Sequence, residues 1–272
     1  MKRFIIVFLV SLICSEAAAQ DWVSTGGPGG QFYQIVYKNK NDIFLSAGTL
    51  MRSTDAGQSW EKDAPPDAPD GTSWTIAIAA NQDIYITGGS TTMVDTIRMW
   101  KSSNNGNTWN RIWLNNVEGL FTSPDSTIYV LPNDIFITFL LRSKNSGAEW
   151  DSIPLPSFRI GFTTVDSNGV LFFANYDDAT SKWYYIRSTD RGISWNNVLP
   201  NKIVNYSSTA CGKKGNIFIS VSDSTSHYSA YHSTDDGMHW TLIPDIVNYG
   251  TFCVSPSGKV FFYVLNISCL FK

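Results

Sequence analysis

The sequence predicts an all-β fold: a β-propeller built from four-stranded antiparallel blades. Three observations predict it. An octapeptide that opens on Ser and closes on Trp recurs five times, at steps of 49, 41, 45 and 45 residues. A short β run precedes each copy, and no helical period of any length interrupts the pattern. Four strands in roughly every 40–50 residues is the spacing of a propeller blade.

The chain begins with Lys2 and Arg3, continues through the apolar run Phe4 to Ile13, and reaches Ala17-Ala18-Ala19. These are the three parts of a secretory signal, with small residues where a signal peptidase reads. Residues 1–19 are therefore expected to be a signal peptide and residues 20–272 a single propeller domain, exported to the periplasm, cell surface or exterior. The leading apolar run is too short to span a bilayer, and no later segment is apolar enough, so no transmembrane segment is expected. Cys14 follows the bulky Ile13, which argues against a lipidated cysteine. The mature chain keeps Cys211, Cys253 and Cys269, an odd number that argues against a disulfide framework. Cys211 and Cys253 hold similar places in successive repeats, as two buried free thiols or as a facing pair on neighbouring strands.

Bulk composition narrows the function classes. A 43% hydrophobic fraction with only 16% charge fits a globular chain. Ten Trp, twelve Tyr and sixteen Phe favour half-buried pleated surfaces. A formal net charge of -3 with no block of like charges leaves no electrostatic footprint for nucleic acid.

The β runs are Ile43 to Leu45, Ile84 to Ile86, Ile128 to Val130, Val170 to Phe173, Ile217 to Ile219 and Val260 to Tyr263. The octapeptides are STDAGQSW from Ser53, SSNNGNTW from Ser102, SKNSGAEW from Ser143, STDRGISW from Ser188 and STDDGMHW from Ser233. Asp or Asn stands third in each (Asp55, Asn104, Asn145, Asp190, Asp235), Gly fifth (Gly57, Gly106, Gly147, Gly192, Gly237) and Trp eighth (Trp60, Trp109, Trp150, Trp195, Trp240). Asp and Asn accept backbone N–H bonds in turns, and Gly takes the positive φ a tight turn needs. The Trp can then lie across the hairpin as an apolar plug. These fifteen residues are expected to be structural; each turn carries too few carboxylates for calcium, and no metal or cofactor is expected.

The octapeptide resembles the Asp-box, or BNR repeat, of sialidases, sortilin-type receptors and photosystem assembly factors. The resemblance covers nearly all of the mature chain and implies the propeller fold. Because the box in those proteins is a structural hairpin, it says little about activity.

Six β runs but five boxes predict six blades. Leu270-Phe271-Lys272 aligns with the residues that precede a box, and Asp21-Trp22-Val23 resembles the segments that follow one. The last blade is therefore expected to be closed by the N-terminal strand; the alternative is a fragment whose remaining blades are absent.

The resemblance to sialidases implies what a catalytic member needs: three Arg on the substrate carboxylate, a Tyr nucleophile activated by a Glu, and an Asp acid. Of seven mature Arg residues, Arg52, Arg142 and Arg187 precede boxes, where Lys101 and His232 replace them. Arg191 lies inside a box and Arg111 just beyond one, which leaves Arg98 and Arg159. Phe158-Arg159-Ile160-Gly161 is similar to the Phe-Arg-Ile-Pro motif of sialidases, with Gly for Pro and after the third box. Of Glu61, Glu118 and Glu149, only Glu118 stands clear of a box, and it has no identifiable Tyr partner. His227, His232 and His239 are too dispersed for zinc. Gly26-Gly27-Pro28-Gly29-Gly30 precedes no helix and reads as a linker. No catalytic residue is assigned; the expected function is binding or scaffolding, with a sialidase-like exo-glycosidase as the alternative.

Loops between second and third strands share one face with the inter-blade loops, opposite the boxes. That face gathers aromatics and short polar side chains suited to a glycan or a protein partner. Its candidate ligand residues are Trp113, Asn115, Glu118, Arg159, Tyr176, Asp177, Trp183, Tyr206, His227 and Tyr249.

Overall fold

Apolar side chains on both sides of the second strand decide the architecture. In Ile128-Tyr129-Val130-Leu131, Ile128 and Val130 pack into one buried cluster with Ala77, Tyr85 and Met99. Tyr129 and Leu131 pack into another with Leu171, Phe173 and Ile186. The period is still two, but both faces are buried, so the run reads as continuously apolar. A sheet with two apolar faces must be covered on both, and stacking one blade against the next does so.

In the computed structural model, residues 34–68, 74–88, 98–115, 117–132, 139–156, 159–177, 181–198, 205–223, 227–244, 246, 250–254 and 260–264 are described. Blade 1 comprises β1 (Gln34–Tyr37), β2 (Ile43–Ser46), β3 (Leu50–Ser53) and β4 (Glu61–Lys62). Blade 2 comprises β5 (Trp74–Ile78), β6 (Ile84–Gly88), β7 (Arg98–Ser102) and β8 (Asn110–Asn115). Blade 3 comprises β9 (Val117–Thr122), β10 (Ile128–Pro132), β11 (Phe139–Ser143) and β12 (Asp151–Pro154). Blade 4 comprises β13 (Arg159–Val165), β14 (Leu171–Asp177), β15 (Lys182–Ser188) and β16 (Asn196–Asn197). Blade 5 comprises β17 (Asn205–Cys211), β18 (Ile217–Ser222), β19 (Tyr228–Ser233) and β20 (Thr241–Ile243). Each is a four-stranded meander whose strands pair in sequence order, all antiparallel.

The expected blade count is corrected here. Among the described residues, five blades are four-stranded, and the sixth run pairs as a two-stranded hairpin of β21 (Gly250–Val254) and β22 (Val260–Val264). The residues that the sequence reading used to complete it, 21–23 and 270–272, lie outside the described residues, as do the signal segment, the Gly-rich linker and Cys269. Among the described residues, no helix is long and apolar enough to cross a membrane.

Packing between blades repeats along the chain. Phe44 and Leu50 of blade 1 meet Ile76, Ile84, Ile86 and Trp100 of blade 2. Phe172, Ala174 and Tyr185 of blade 4 meet Ile217, Ile219 and Val221 of blade 5. Residues at these boundaries are essentially without solvent, so each is held by apolar area from two blades at once.

Candidate functional site

Each octapeptide forms the turn between the third and fourth strands of its blade. The Ser hydroxyl donates to the third residue and accepts the fifth residue's N–H, as at Ser53 to Asp55 and Gly57 (both 2.8 Å). Two consecutive residues take positive φ: Ala56 (63°) with Gly57 (88°), and Asp236 (57°) with Gly237 (77°), as a type I′ turn requires. Glycine carries the larger angle because its Cα sits against the preceding blade; a Cβ on Gly192 would lie 2.8 Å from Ile153 Cγ2.

The third residue also bonds the seventh, and the two are chemically matched. Asp55 accepts from the Ser59 hydroxyl (2.6 Å), Asp190 from that of Ser194 (2.6 Å), and Asp235 meets His239 Nδ1 (2.6 Å). Where the third residue is Asn, its amide donates instead: Asn104 to Thr108 (2.9 Å) and Asn145 to Glu149 (3.0 Å). Hydrogen bonds from the position-seven side chain and backbone hold Asp55 and Asp190 down to about 2. The His239 N–H and imidazole depress Asp235 as well.

Residues just before the boxes are engaged by this turn layer. Arg52 pairs with Asp42 (2.9 Å) and Lys101 with Asp83 (2.8 Å). Arg142 pairs with Asp151 and donates across the blade boundary to Arg191 O (2.9 Å). Arg187 donates to Asp236 O (2.6 Å), also in the next blade. His232 stacks on Phe218 and contacts Asn216. Arg98 reaches Asp67 O (3.2 Å) in a loop. Arg52, Arg142 and Arg187 thus lie at the box ends of their strands.

The opposite edge carries those candidate ligand positions that lie among the described residues. In blade 4, Arg159 pairs in register with Tyr176, and Tyr176 with Trp183, so three of them form one row across β13, β14 and β15. The Tyr176 and Trp183 rings lie 5.3 Å apart at 59°, and Asp177 pairs with Lys182 one step farther out. In blade 5, Tyr206 lies opposite Val221 at the start of β17, and His227 is exposed beside Asp223, whose carboxylate accepts its N–H (3.0 Å). Trp113 and Asn115 are on β8 and Glu118 on β9, flanking the crossover from blade 2 to blade 3. The side chains of Trp113, Asn115, Glu118, Arg159 and Tyr206, and all of Tyr249, lie outside the described residues.

A second feature was not singled out from the sequence. At the box end of the inner strands, a cavity of about 430 Å³ is lined by Ile78, Thr122, Val165, Asp166, Cys211 and Val254, among others. Asp166 is buried, and Cys211 is a free thiol. Burial pushes this thiol up to about 12. The signal was faint because Asp166 reads as an ordinary turn aspartate in Asp-Ser-Asn-Gly. Among the described residues, no group of three His, Cys, Asp or Glu side chains is placed to hold a metal ion.

No family model matches the chain, and no curated protein matches it. Solved structures do. YCF48 from Cyanidioschyzon merolae superposes with a TM-score of 0.55 at 13% identity, covering 86% of this chain and 92% of that one. The GH74 xyloglucanase from Xanthomonas campestris gives 0.54 at 16% identity, covering 90% of this chain and 52% of that one, so the chain spans about half of that enzyme. At these identities the likeness is one of fold, and it makes this chain a β-propeller of four-stranded antiparallel blades.

Proposed function

We propose that the chain is an exported binding or scaffolding propeller that takes a glycan or protein partner on its loop face, without catalysis. The observation that carries this reading is the row Arg159, Tyr176, Trp183 at the loop edge of blade 4. Two aromatic rings in contact, with Asp177 beside them and an Arg position at the end of the row, suit the flat face of a sugar ring or a peptide side chain. They stand on the end of a three-strand ladder, so the platform is rigid and little ordering opposes binding. The repeated octapeptides, the signal-like first nineteen residues and the box-end roles of Arg52, Arg142 and Arg187 support the same picture.

The competing reading is a glycoside hydrolase, on the fold of the xyloglucanase and the sialidase-like box. Glycan-array binding and pull-down from the native source, run beside turnover assays on a fluorogenic sialoside and on xyloglucan, separate the two. Binding lost in Trp183→Ala with no turnover in the parent supports a binding module. Turnover abolished by Arg159→Ala overturns it.

A further inference from the structure

The joint between blades 4 and 5 brings two carboxyl groups together. At earlier joints, the turn after the inner strand of one blade meets the fourth residue of the next blade's octapeptide, and the two are complementary. Lys38, directly after β1, donates to Asn105, and Asp125, in the turn after β9, pairs with Arg191 at 2.8 Å. Between blades 4 and 5 the places of Lys38 and Asn105 are taken by Asp166, directly after β13, and Asp236, so an acid meets an acid.

Asn168 fixes both groups. Its backbone N–H donates to Asp166 Oδ1 (2.8 Å), and its Nδ2 donates to Asp236 Oδ1 (2.8 Å). Asp166 Oδ1 also accepts the Val170 N–H (2.9 Å). Asp236 is anchored from its own blade, where its N–H donates to Gly215 O (3.2 Å) and a Cβ on Gly215 would lie 2.5 Å from Asp236 Oδ1. Asp166 is 2% exposed, and no N–H or hydroxyl among the described residues donates to its sealed Oδ2, which the Asp236 carboxyl reaches. Two carboxylates only accept, whereas a carboxylic acid can donate to a carboxylate. The surrounding charges do not alter this. Arg187 Nη1 is engaged by Asp236 O (2.6 Å), a carbonyl, and Asp125 of blade 3 is taken by Arg191. Lys213 and Lys214 are exposed on the turn from β17 to β18, where solvent screens them. Cys211, at the end of β17, stays neutral because burial pushes its thiol up to about 12.

We propose that Asp166 Oδ2 carries a proton and donates it to Asp236, forming an acid-held clasp between blades 4 and 5 that opens when the proton leaves to solvent. A short bond from an acid to a carboxylate is charge-assisted and strong, and its loss leaves two like charges facing each other. Burial and the Asp236 carboxyl push Asp166 up to about 6. Because the folded value is raised, the clasp's stabilisation is present below the ordinary carboxylate range and is lost as pH rises through about 6. The Lys214 N–H donates to Ser167 Oγ (3.1 Å) across the same joint, beside Asp166, and loosens with the clasp. Asp166, Ser167 and Lys213 all line the box-end cavity, so the proton also governs the shape of its wall.

The test uses the full mature chain, with the Asp166 carboxyl carbon followed by NMR and the Lys214 N–H by hydrogen exchange, from pH about 4.5 to 8. In the parent, Asp166 should titrate near 6. In Asp236→Asn, whose amide donates to the Asp166 carboxylate, the proton should bind at least about tenfold more weakly. Lys214 exchange, corrected for base catalysis, should quicken about tenfold between pH 5 and 7.5 in the parent. In Asp166→Asn, whose amide donates to Asp236 at every pH, that dependence should vanish. Asp63 lies against Gly106 at the joint of blades 1 and 2 and is unchanged in both variants, so it accounts for no difference between them and the parent. A parent Asp166 that titrates in the ordinary carboxylate range, a midpoint unmoved in Asp236→Asn, or Lys214 exchange equally pH-dependent in Asp166→Asn overturns the proposal. If Asp166→Asn fails to fold, the midpoints of the parent and Asp236→Asn decide it.

Discussion

His239 Nδ1 lies 2.6 Å from Asp235 Oδ2, and the same place in the third octapeptide is taken by Glu149, which accepts from the amide of Asn145 (3.0 Å). Each turn pairs a donor with an acceptor, although the two residues themselves differ from copy to copy. Position seven is therefore not a free surface position. Asn145→Asp would set two carboxylates against each other and should lower the melting temperature by roughly 2–3 °C. Adding Glu149→Ser, the partner that Asp55 and Asp190 use, should restore it. Thermal unfolding of both single variants and the double one forms the cycle; additive losses would refute the matching.

This matching was readable in principle from five aligned octapeptides, because every bond in it spans four residues or fewer. The turns were legible for the same reason: Ser, Asp or Asn, Gly and Trp act on one another locally. The row Arg159, Tyr176, Trp183 was not legible as a row. Its residues are up to twenty-four positions apart, and only the hairpin registers of β13, β14 and β15 align them. The blade count went wrong where a short apolar, mostly aromatic run was equated with a whole blade. Val260 to Tyr263 does form a strand, yet a strand's fate is settled by its neighbours.

Asp63 occupies a place that sequence pattern assigns to an apolar residue. Three positions after the box Trp stand Ile112, Ile153, Val198 and Ile243, but in blade 1 the residue is Asp63, pressed against Gly106. Burial pushes its carboxyl up to about 6, against the pull of Arg52 and the Trp109 indole. A raised carboxyl pKa means that the folded state holds the proton longer, so stability falls as pH rises from about 4 to 6 and stays lower above. Asp63→Val should stabilise the protein by about 1–2 kcal/mol at pH 7.5, after allowance for partial exposure. That gain should shrink below pH 5. Urea titrations at the two pH values decide it, and a gain independent of pH would remove Asp63 as its source.

Arg142 ties blade 3 to blade 4 by bonding Asp151 and, through Nη1, the carbonyl of Arg191 (2.9 Å). Only a planar fork reaches both acceptors at once. Arg142→Ala should cost about 1–2 kcal/mol, because it leaves the Arg191 carbonyl without its donor, while the exposed Asp151 carboxylate returns to water. Arg142→Lys should recover less than half of that loss. Denaturant unfolding measures both, and full recovery by Lys would show that charge alone is needed.

The five box tryptophans look equivalent, but their indole N–H groups are not. Trp60, Trp150 and Trp240 donate to the carbonyls of Gly57, Gly147 and Gly237, each at 3.1 Å. Trp195 Nε1 is buried with no partner among the described residues, and its ring instead meets Phe173 edge to face at 4.9 Å. Replacement by Phe removes similar apolar area at either site, so the difference between sites isolates the hydrogen bond. Trp240→Phe should be worse than Trp195→Phe by about 1 kcal/mol, since the first leaves Gly237 O unpaired and the second removes a polar atom that was already unsatisfied. Equal losses in urea unfolding would mean that these plugs act through ring volume alone.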